Sequence, residues 1–257
     1  VLEAEGVDVV VSEELPYALA ISGYDYLSKL KSFQSGCFSV QDLSSMQVAH
    51  WAEPQAGDNI IDVCAAPGGK ALHMAELLQG TGHVEARDLT DYKVNLIQDN
   101  IMRSGMNNIE AVRWDATVLD EASVEKADIV IADLPCSGLG VLGKKTDLKY
   151  KMTEQTQGEL VKLQREILST VKQYVKPGGT LVYSTCTIHE AENMGNVEWF
   201  LAESQDFQLV SVKDKLCGEL SAGIEDNVVR EGCLQLLPGV HKSDGFFIAK
   251  FKKVKHG

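Results

Sequence analysis

Proline is scarce, at 6 residues in 257, and no low-complexity linker or internal repeat interrupts the chain. No apolar run is long enough to span a membrane, and nothing resembles a signal peptide. The six cysteines are Cys37, Cys64, Cys136, Cys186, Cys217 and Cys233. None is paired as C-x-x-C, so their spacing suggests neither a zinc site nor a disulfide framework, and free thiols in a reducing cytoplasm are expected. G-x-G-x-x-G and the P-loop spacing are both missing, which sets aside NAD and nucleoside triphosphates as first guesses. Positive charge is also short. A net charge of −13 argues against generic binding of polyphosphates. What remains, 44% hydrophobic and 24% charged residues with 22 glycines, is ordinary globular composition. The length suits one large domain, or one large and one small, and can bury a core without staples. The chain opens on Val1 and is expected to be a piece of a longer polypeptide.

Residues 1 to about 35 read as a small α+β piece, with a strand at Val7 to Val11 and breaks at Leu15-Pro16 and Ser22-Gly23. From about Gly36 the chain changes character. Helical spacing over Ser39 to Trp51 leads to a turn at Pro54 to Gly57 and a short apolar strand, Asn59 to Cys64. Strand and helix then alternate. Helices are predicted over Lys70–Gln79, Tyr92–Arg103 and Thr153–Val175, and strands over His83–Arg87, Asn108–Arg113, Ala127–Ala132 and Thr180–Thr185. Phe207–Val212 and Phe246–Phe251 add two more, as an antiparallel edge. Such alternation builds an α/β fold, a mainly parallel sheet with helices on both faces.

Ligands bind such sheets at the carboxyl ends of the strands. The first strand ends in Asp62-Val63-Cys64-Ala65-Ala66-Pro67-Gly68-Gly69-Lys70. Small residues there let a ligand approach the backbone, and the following helix offers unpaired N–H groups. Three acids fall at the ends of the next three strands. Asp88 is placed to bind the hydroxyls of a ribose, Asp115 to take the amino group of an adenine, and Asp133 to face the reaction zone. Singly, each acid is more often a cap or turn residue; together they indicate an adenosine-bearing cofactor. Two thiols sit at the ends of the fourth and fifth strands, in Asp133-Leu134-Pro135-Cys136-Ser137-Gly138 and Ser184-Thr185-Cys186-Thr187. Thr187 to Glu190 fits a capping box, which would set Cys186 before a helix N-terminus and favour its thiolate.

These residues resemble the Sun family of RNA cytosine-C5 methyltransferases, and within it the bacterial RsmB type. DVCAAPGGK at Asp62 to Lys70, DLPCSGLG at Asp133 to Gly140 and YSTCT at Tyr183 to Thr187 carry the resemblance, supported by FSVQD at Phe38 to Asp42 and QLLPG…DGFF near the end. The resemblance implies a Rossmann-like class I methyltransferase fold with a mainly parallel seven-stranded sheet, a catalytic domain over 36–257, and the end of an RNA-binding subdomain over 1–35. It implies that Cys64, Ala65, Ala66, Pro67, Gly68, Gly69, Lys70, Asp88, Asp115 and Asp133 contact S-adenosylmethionine. It makes Cys186 the nucleophile and Cys136 the residue that assists release of the RNA; from the residues alone, either thiol could attack. The substrate it implies is small-subunit (16S) ribosomal RNA, bound by a monomer in the cytoplasm with no metal and no membrane.

The chemistry asks for such residues. Cytosine C5 is a poor nucleophile until a thiolate adds at C6, breaks the aromaticity and leaves C5 enamine-like. A carboxyl group near N3 and N4, here Asp133, would balance charge in the ring. Lys144, Lys145, Lys149 and Lys151 form the segment expected to meet RNA phosphates, where the family has an arginine-rich stretch with a proline and this chain has Lys144-Lys145-Thr146-Asp147. An exocyclic-amino methyltransferase of the same fold would need N/D-P-P-Y/F in place of Asp133-Leu134-Pro135-Cys136 and has no use for Cys186. A non-catalytic RNA-binding module would need neither thiol.

Overall fold

A computed structural model describes residues 1–144, 152–215, 232–241 and 243–255. An antiparallel hairpin, β1 (Asp8–Val11) and β2 (Leu19–Ser22), comes first, followed by a single helical turn α1 (Lys31–Gln34). Helix α2 (Leu43–Ala52) opens the main alternation: β3 (Asn59–Asp62), α3 (Gly69–Leu77), β4 (His83–Asp88), α4 (Asp91–Ser104), β5 (Ile109–Arg113) and β6 (Ala127–Asp133). Then follow α5 (Glu154–Val171), β7 (Val175–Thr185), α6 (Met194–Glu203), β8 (Phe207–Leu209), β9 (Cys233–Leu236) and β10 (Phe246–Lys253).

The large sheet runs β5-β4-β3-β6-β7-β10, parallel from β5 to β7 and antiparallel at β10. Seven positions carry eight strands, because the outer edge of β10 is shared: β8 pairs its residues 251–253 and β9 its residues 246–249. The chain winds outward from β3 in one direction and from β6 in the other. The crevice over their carboxyl ends is the switch point at which doubly wound sheets take ligands. Both faces of the central strands are apolar, as a sheet covered on both sides requires. Ile60, Ile129, Ile131 and Val182 join one cluster with Val48, Leu72 and Ile97 of the helices above. Ile61, Val130, Ala132, Leu181 and Tyr183 join the other with Ile167 and Val197 below.

Helix ends follow local chemistry. Asp42 caps α2 by accepting from Ser44 N, Thr90 caps α4 and Thr153 caps α5. Helix α5 stops at Val171, short of the predicted Val175, and one 3-10 turn follows. The fully buried Tyr174 holds the chain there: its hydroxyl accepts from Asp120 N at 3.0 Å and donates to Val118 O at 3.3 Å. Pro177-Gly178-Gly179, expected as a turn ahead of the strand, is a bulge inside β7, where the register passes from Ala127↔Val175 to Ile129↔Thr180.

The hairpin is a sheet of its own, and the N-terminal segment rests on α3 through Tyr17 and on α4 through Phe33 and Phe38. Tyr17 packs edge-on to His73 with ring centres 5.3 Å apart, and Arg103 donates to Phe33 O and Phe38 O. Strands β2 and β9 were not anticipated from the sequence, and the helix expected after Cys186 is α6, which starts later than its capping signal. Among the described residues no helix is long and apolar enough to cross a membrane.

Candidate active site

The loop after β3 is built by backbone bonds that leave its outer face open. Val63 N donates to Ile131 O, Ala65 N to Arg87 O and Gly68 N to Ala65 O. Gly68 has φ +107°, a backbone conformation that L side chains rarely adopt. Helix α3 begins at Gly69, so its first N–H groups have no partner within the helix. Asp88, buried at the end of β4, ties this loop down: Oδ2 accepts from Ala66 N at 3.0 Å, while Oδ1 takes Leu89 N at 2.8 Å and Lys93 Nζ at 3.0 Å.

Cys64, Ala65, Ala66, Pro67, Gly69 and Lys70 all line one cavity of about 310 Å³, and so do Asp62, Asp133 and Cys186. Asp115 lies apart, in a shallow depression with Leu89, Arg113, Trp114 and Val118. There its Oδ1 caps its own turn, accepting from both Thr117 N and Thr117 Oγ1. Asp88 lines neither hollow but is bonded to a wall of each, Ala66 of the cavity and Leu89 of the depression.

Two charges dominate the cavity. Lys70 Nζ lies 2.7 Å from Asp133 Oδ2, and Ser184 Oγ donates to Asp133 Oδ1 at 2.7 Å. Burial opposes the Lys70 ammonium, yet Asp133 and then Asp62 outweigh it and hold its pKa above the ordinary lysine value. Asp62 is the group that motif reading passed over. It is 1% exposed, and neither carboxylate oxygen has a hydrogen-bond partner of standard geometry among the described residues. Burial, then the charge of Asp133, push its pKa up to about 7; Lys70 and the Cys64 amide pull the other way without reversing the shift. An acid ending an apolar strand just before a glycine loop was the available signal.

The two thiols meet. Cys136 and Cys186 bring their sulfurs to 3.3 Å, although 50 residues separate them. The Cys136 thiol is pushed far above its ordinary range, first by its hydrogen bond with Cys186 and then by burial. One expectation fails here. No helix starts after Cys186: Thr187 Oγ1 accepts from His189 N, residues 190–192 form one 3-10 turn with no side-chain cap, and α6 begins only at Met194. Asn193 accounts for the difference, since its side chain accepts from Thr185 Oγ1 and donates to Thr187 O, holding the chain in a loop. The positive charge that acts on the Cys186 sulfur comes instead from Lys70, and it favours a thiolate there.

The basic segments read differently in three dimensions. Lys144 is held by Asp244 at 2.7 Å and Asp42 at 3.1 Å, on acids that line the cavity. Lys145, Lys149 and Lys151 lie outside the described residues. The lysines crowded along residues 250–255 do not form a basic surface either, since Lys250 and Lys253 are buried strand residues paired with Glu53 and Glu125. Among the described residues Cys37, Cys64, Cys136, Cys186 and Cys233 form no disulfide, and no metal-binding cluster occurs.

Sheet order, switch-point cavity and strand-end acids place the molecule among Rossmann-like methyltransferases. It superposes with TM-score 0.76 and 33% identity on the crystal structure of NSun6 from Pyrococcus horikoshii with SFG, over 91% of this chain and 57% of that one. Residues 49–252 match the family model described as 16S rRNA methyltransferase RsmB/F, and the chain belongs to that family. It is 40% identical over 223 residues to a probable ribosomal RNA small subunit methyltransferase B of Bacillus subtilis (strain 168), covering 86% of this chain and 49% of that protein. It is 38% identical over 230 residues to a tRNA (cytosine(72)-C(5))-methyltransferase of Pyrococcus horikoshii (strain ATCC 700860 / DSM 12428 / JCM 9974 / NBRC 100139 / OT-3), covering 89% and 56%. The chain thus spans about half the length of the curated relatives it matches.

Proposed function

We propose that the protein methylates carbon 5 of a cytosine in small-subunit ribosomal RNA, using S-adenosylmethionine and a covalent bond from Cys186 to carbon 6. The observation that carries this reading is the pair of thiols 3.3 Å apart, with Cys186 on the wall of a cavity that also holds the Lys70–Asp133 pair. An amino-group methyltransferase has no use for such a pair, and a binding module has none for either thiol.

S-adenosylmethionine fits the residues present and would supply an electrophilic methyl group on sulfur. The open loop at Cys64–Lys70, the Asp88 carboxylate bonded to both hollows, and Asp115 beyond it suit an extended adenosine-bearing molecule. The unpartnered Asp62 carboxylate suits an ammonium group. Lys70 favours the Cys186 thiolate, which adds at C6; Asp133, fixed by Lys70 and Ser184, faces the N3/N4 edge and holds a proton against N3, which neutralises the electron pair that addition displaces onto that nitrogen. After C5 is methylated, a base, water in the simplest case, takes the C5 proton. That electron pair restores the C5–C6 double bond, and the sulfur leaves with the C6–S pair as thiolate. Cys136, protonated beside it, stabilises the departing thiolate with a hydrogen bond. The base to be methylated must first leave any stack.

Residues 36–257 act as the catalytic domain and 1–35 as part of an RNA-binding subdomain, in a cytoplasmic monomer that needs no metal. The RNA meets the Lys144–Lys151 segment, with Lys144 exchanging its carboxylate partners for phosphate. The test is nucleoside mass spectrometry after incubation with unmethylated 16S ribosomal RNA and S-adenosylmethionine. The expected product is 5-methylcytidine; N4-methylcytidine, or no methylation, would overturn the reading.

Asp88→Ala should weaken S-adenosylmethionine by about 1–3 kcal/mol, the range for losing hydrogen bonds to a charged acceptor. Its loss removes both the expected ribose acceptor and the anchor of Ala66 N. Calorimetry returning an unchanged affinity would remove Asp88 from the site.

A further inference from the structure

Cys136 and Cys186 stand on separate loops that the pairing of β6 with β7 brings side by side, but that pairing ends at Asp133↔Ser184, short of both sulfurs. What links the loops is buried polar structure one residue further on. Ser137 follows Cys136, Thr187 follows Cys186, and their hydroxyls lie 2.7 Å apart, both fully buried. Ser137 N donates to Glu192 Oε2 at 2.9 Å, and Gln164 Nε2 donates to the same oxygen while also donating to Pro135 O. Glu192 is itself fully buried. A second strut crosses nearby, from Gly140 N to Cys186 O at 3.0 Å.

We infer that the Ser137–Thr187 hydroxyl pair, backed by the buried carboxylate of Glu192, is a positioning device that keeps the Cys136 thiol against the Cys186 sulfur so that the RNA adduct is released. This rests on the covalent reading given above. Neither hydroxyl touches substrate; both act through the sulfurs beside them. A buried carboxylate is a costly foundation unless its bonds are satisfied and its geometry matters. Here its Oε2 holds the backbone of the Cys136 loop at the residue that grips the Cys186 loop. Release is the step that needs both sulfurs together. Attack by Cys186 and methylation do not require Cys136 in place, so loosening the clamp should spare the early steps and slow the last one. Misplacement by about 1 Å commonly costs on the order of 100-fold in a step that depends on alignment.

The experiment compares wild type with Thr187→Val, Thr187→Ser, Ser137→Ala and Cys136→Ala, each incubated with unmethylated 16S ribosomal RNA and S-adenosylmethionine. A burst of methyl transfer, steady-state turnover and slow-migrating protein–RNA bands on denaturing gels are read together. Thr187→Val keeps the side-chain shape and removes the hydroxyl. It and Ser137→Ala should retain the burst, lose roughly 10- to 100-fold in turnover and accumulate the covalent band. Thr187→Ser, which restores the hydroxyl, should release RNA as wild type does. A buried group whose role was only to support the fold would lower burst and turnover together and leave no band. If a single variant is too unstable to assay, Ser137→Ala combined with Thr187→Val leaves no orphaned hydroxyl and should show the same trapped band. Normal release from Thr187→Val, or equal loss of burst and turnover, would overturn the clamp while Cys136→Ala still traps RNA. Absence of a band from an active Cys136→Ala would instead overturn the release role of Cys136, and the clamp with it.

Discussion

Cys186→Ala is expected to abolish methyl transfer and any covalent RNA complex, whereas Cys136→Ala should methylate once and remain bonded to its RNA. The two effects differ because the sulfurs, although 3.3 Å apart, are not equivalent. Cys186 lines the cavity and feels the Lys70 ammonium; Cys136 does not line it, and its hydrogen bond with Cys186 and its burial push its pKa up. Removing the attacking thiol leaves C5 aromatic and unreactive, and losses of about 10⁴-fold or more are usual when a nucleophile is deleted. Without Cys136, addition and methylation proceed, but the departing thiolate loses its hydrogen-bond donor. Denaturing gels of both variants with substrate RNA and S-adenosylmethionine make the distinction. A persistent band in Cys186→Ala together with none in Cys136→Ala would exchange the two roles. Full methylation by Cys186→Ala would end the covalent mechanism.

Asp62→Asn should make the cofactor-free protein more stable at pH 8 and less able to bind S-adenosylmethionine. In the folded chain the Asp62 pKa is about 7, against a reference value of 3.8. Between those limits the native state holds a proton that the unfolded chain has lost, so the carboxyl lowers stability progressively as pH rises from about 4 to about 7. Above pH 7 the penalty is complete, and at roughly 1.4 kcal/mol per pKa unit it amounts to about 4 kcal/mol at most. Asparagine removes it. Urea unfolding at pH 8 should therefore show the variant ahead by up to about 4 kcal/mol, with the advantage vanishing near pH 4. Equal stability at pH 8 would mean that Asp62 is solvated or paired after all. Stability gained with affinity lost is the signature expected of a group strained for a ligand.

Much of the scaffold was legible because burial on both faces of a parallel sheet leaves near-continuous apolar runs. Ile129, Val130, Ile131 and Ala132 announce β6 by themselves, and the glycine loop marks where the cavity lies. What escaped depends on distant partners. Strand β2 is short and mostly exposed, with its Leu19-Ala20-Ile21 run set between the breaks at Leu15-Pro16 and Ser22-Gly23, and β9 exists as a strand only by pairing with β10. The Thr187–Glu190 capping box is a local signal outbid by Asn193, whose side chain claims Thr185 and Thr187. Lys250 and Lys253 look like a basic tail in one dimension, and only the register of β10 turns them inward. Ser137 and Thr187, 50 residues apart, carry no motif that names them as partners.

Strand β10 lies between β7 and the β8–β9 edge, and the glycine just before it, Gly245, donates to Gly140 O beside the Cys136 loop. A Cβ on Gly140 would collide with the Gly245 carbonyl, so the fit at this junction is close. In terms of folding order, the β3–β5 half, with the cofactor loop and Asp88, is assembled from neighbouring segments and can close early. The thiol half waits for a strand contributed by residues 246–253. Contacts of such long sequence separation form late, and during synthesis they form only once residues 246–253 have emerged. The nascent protein would thus possess a place for its small molecule before it possesses a paired nucleophile, and the two sulfurs would meet RNA together only once β10 is in place.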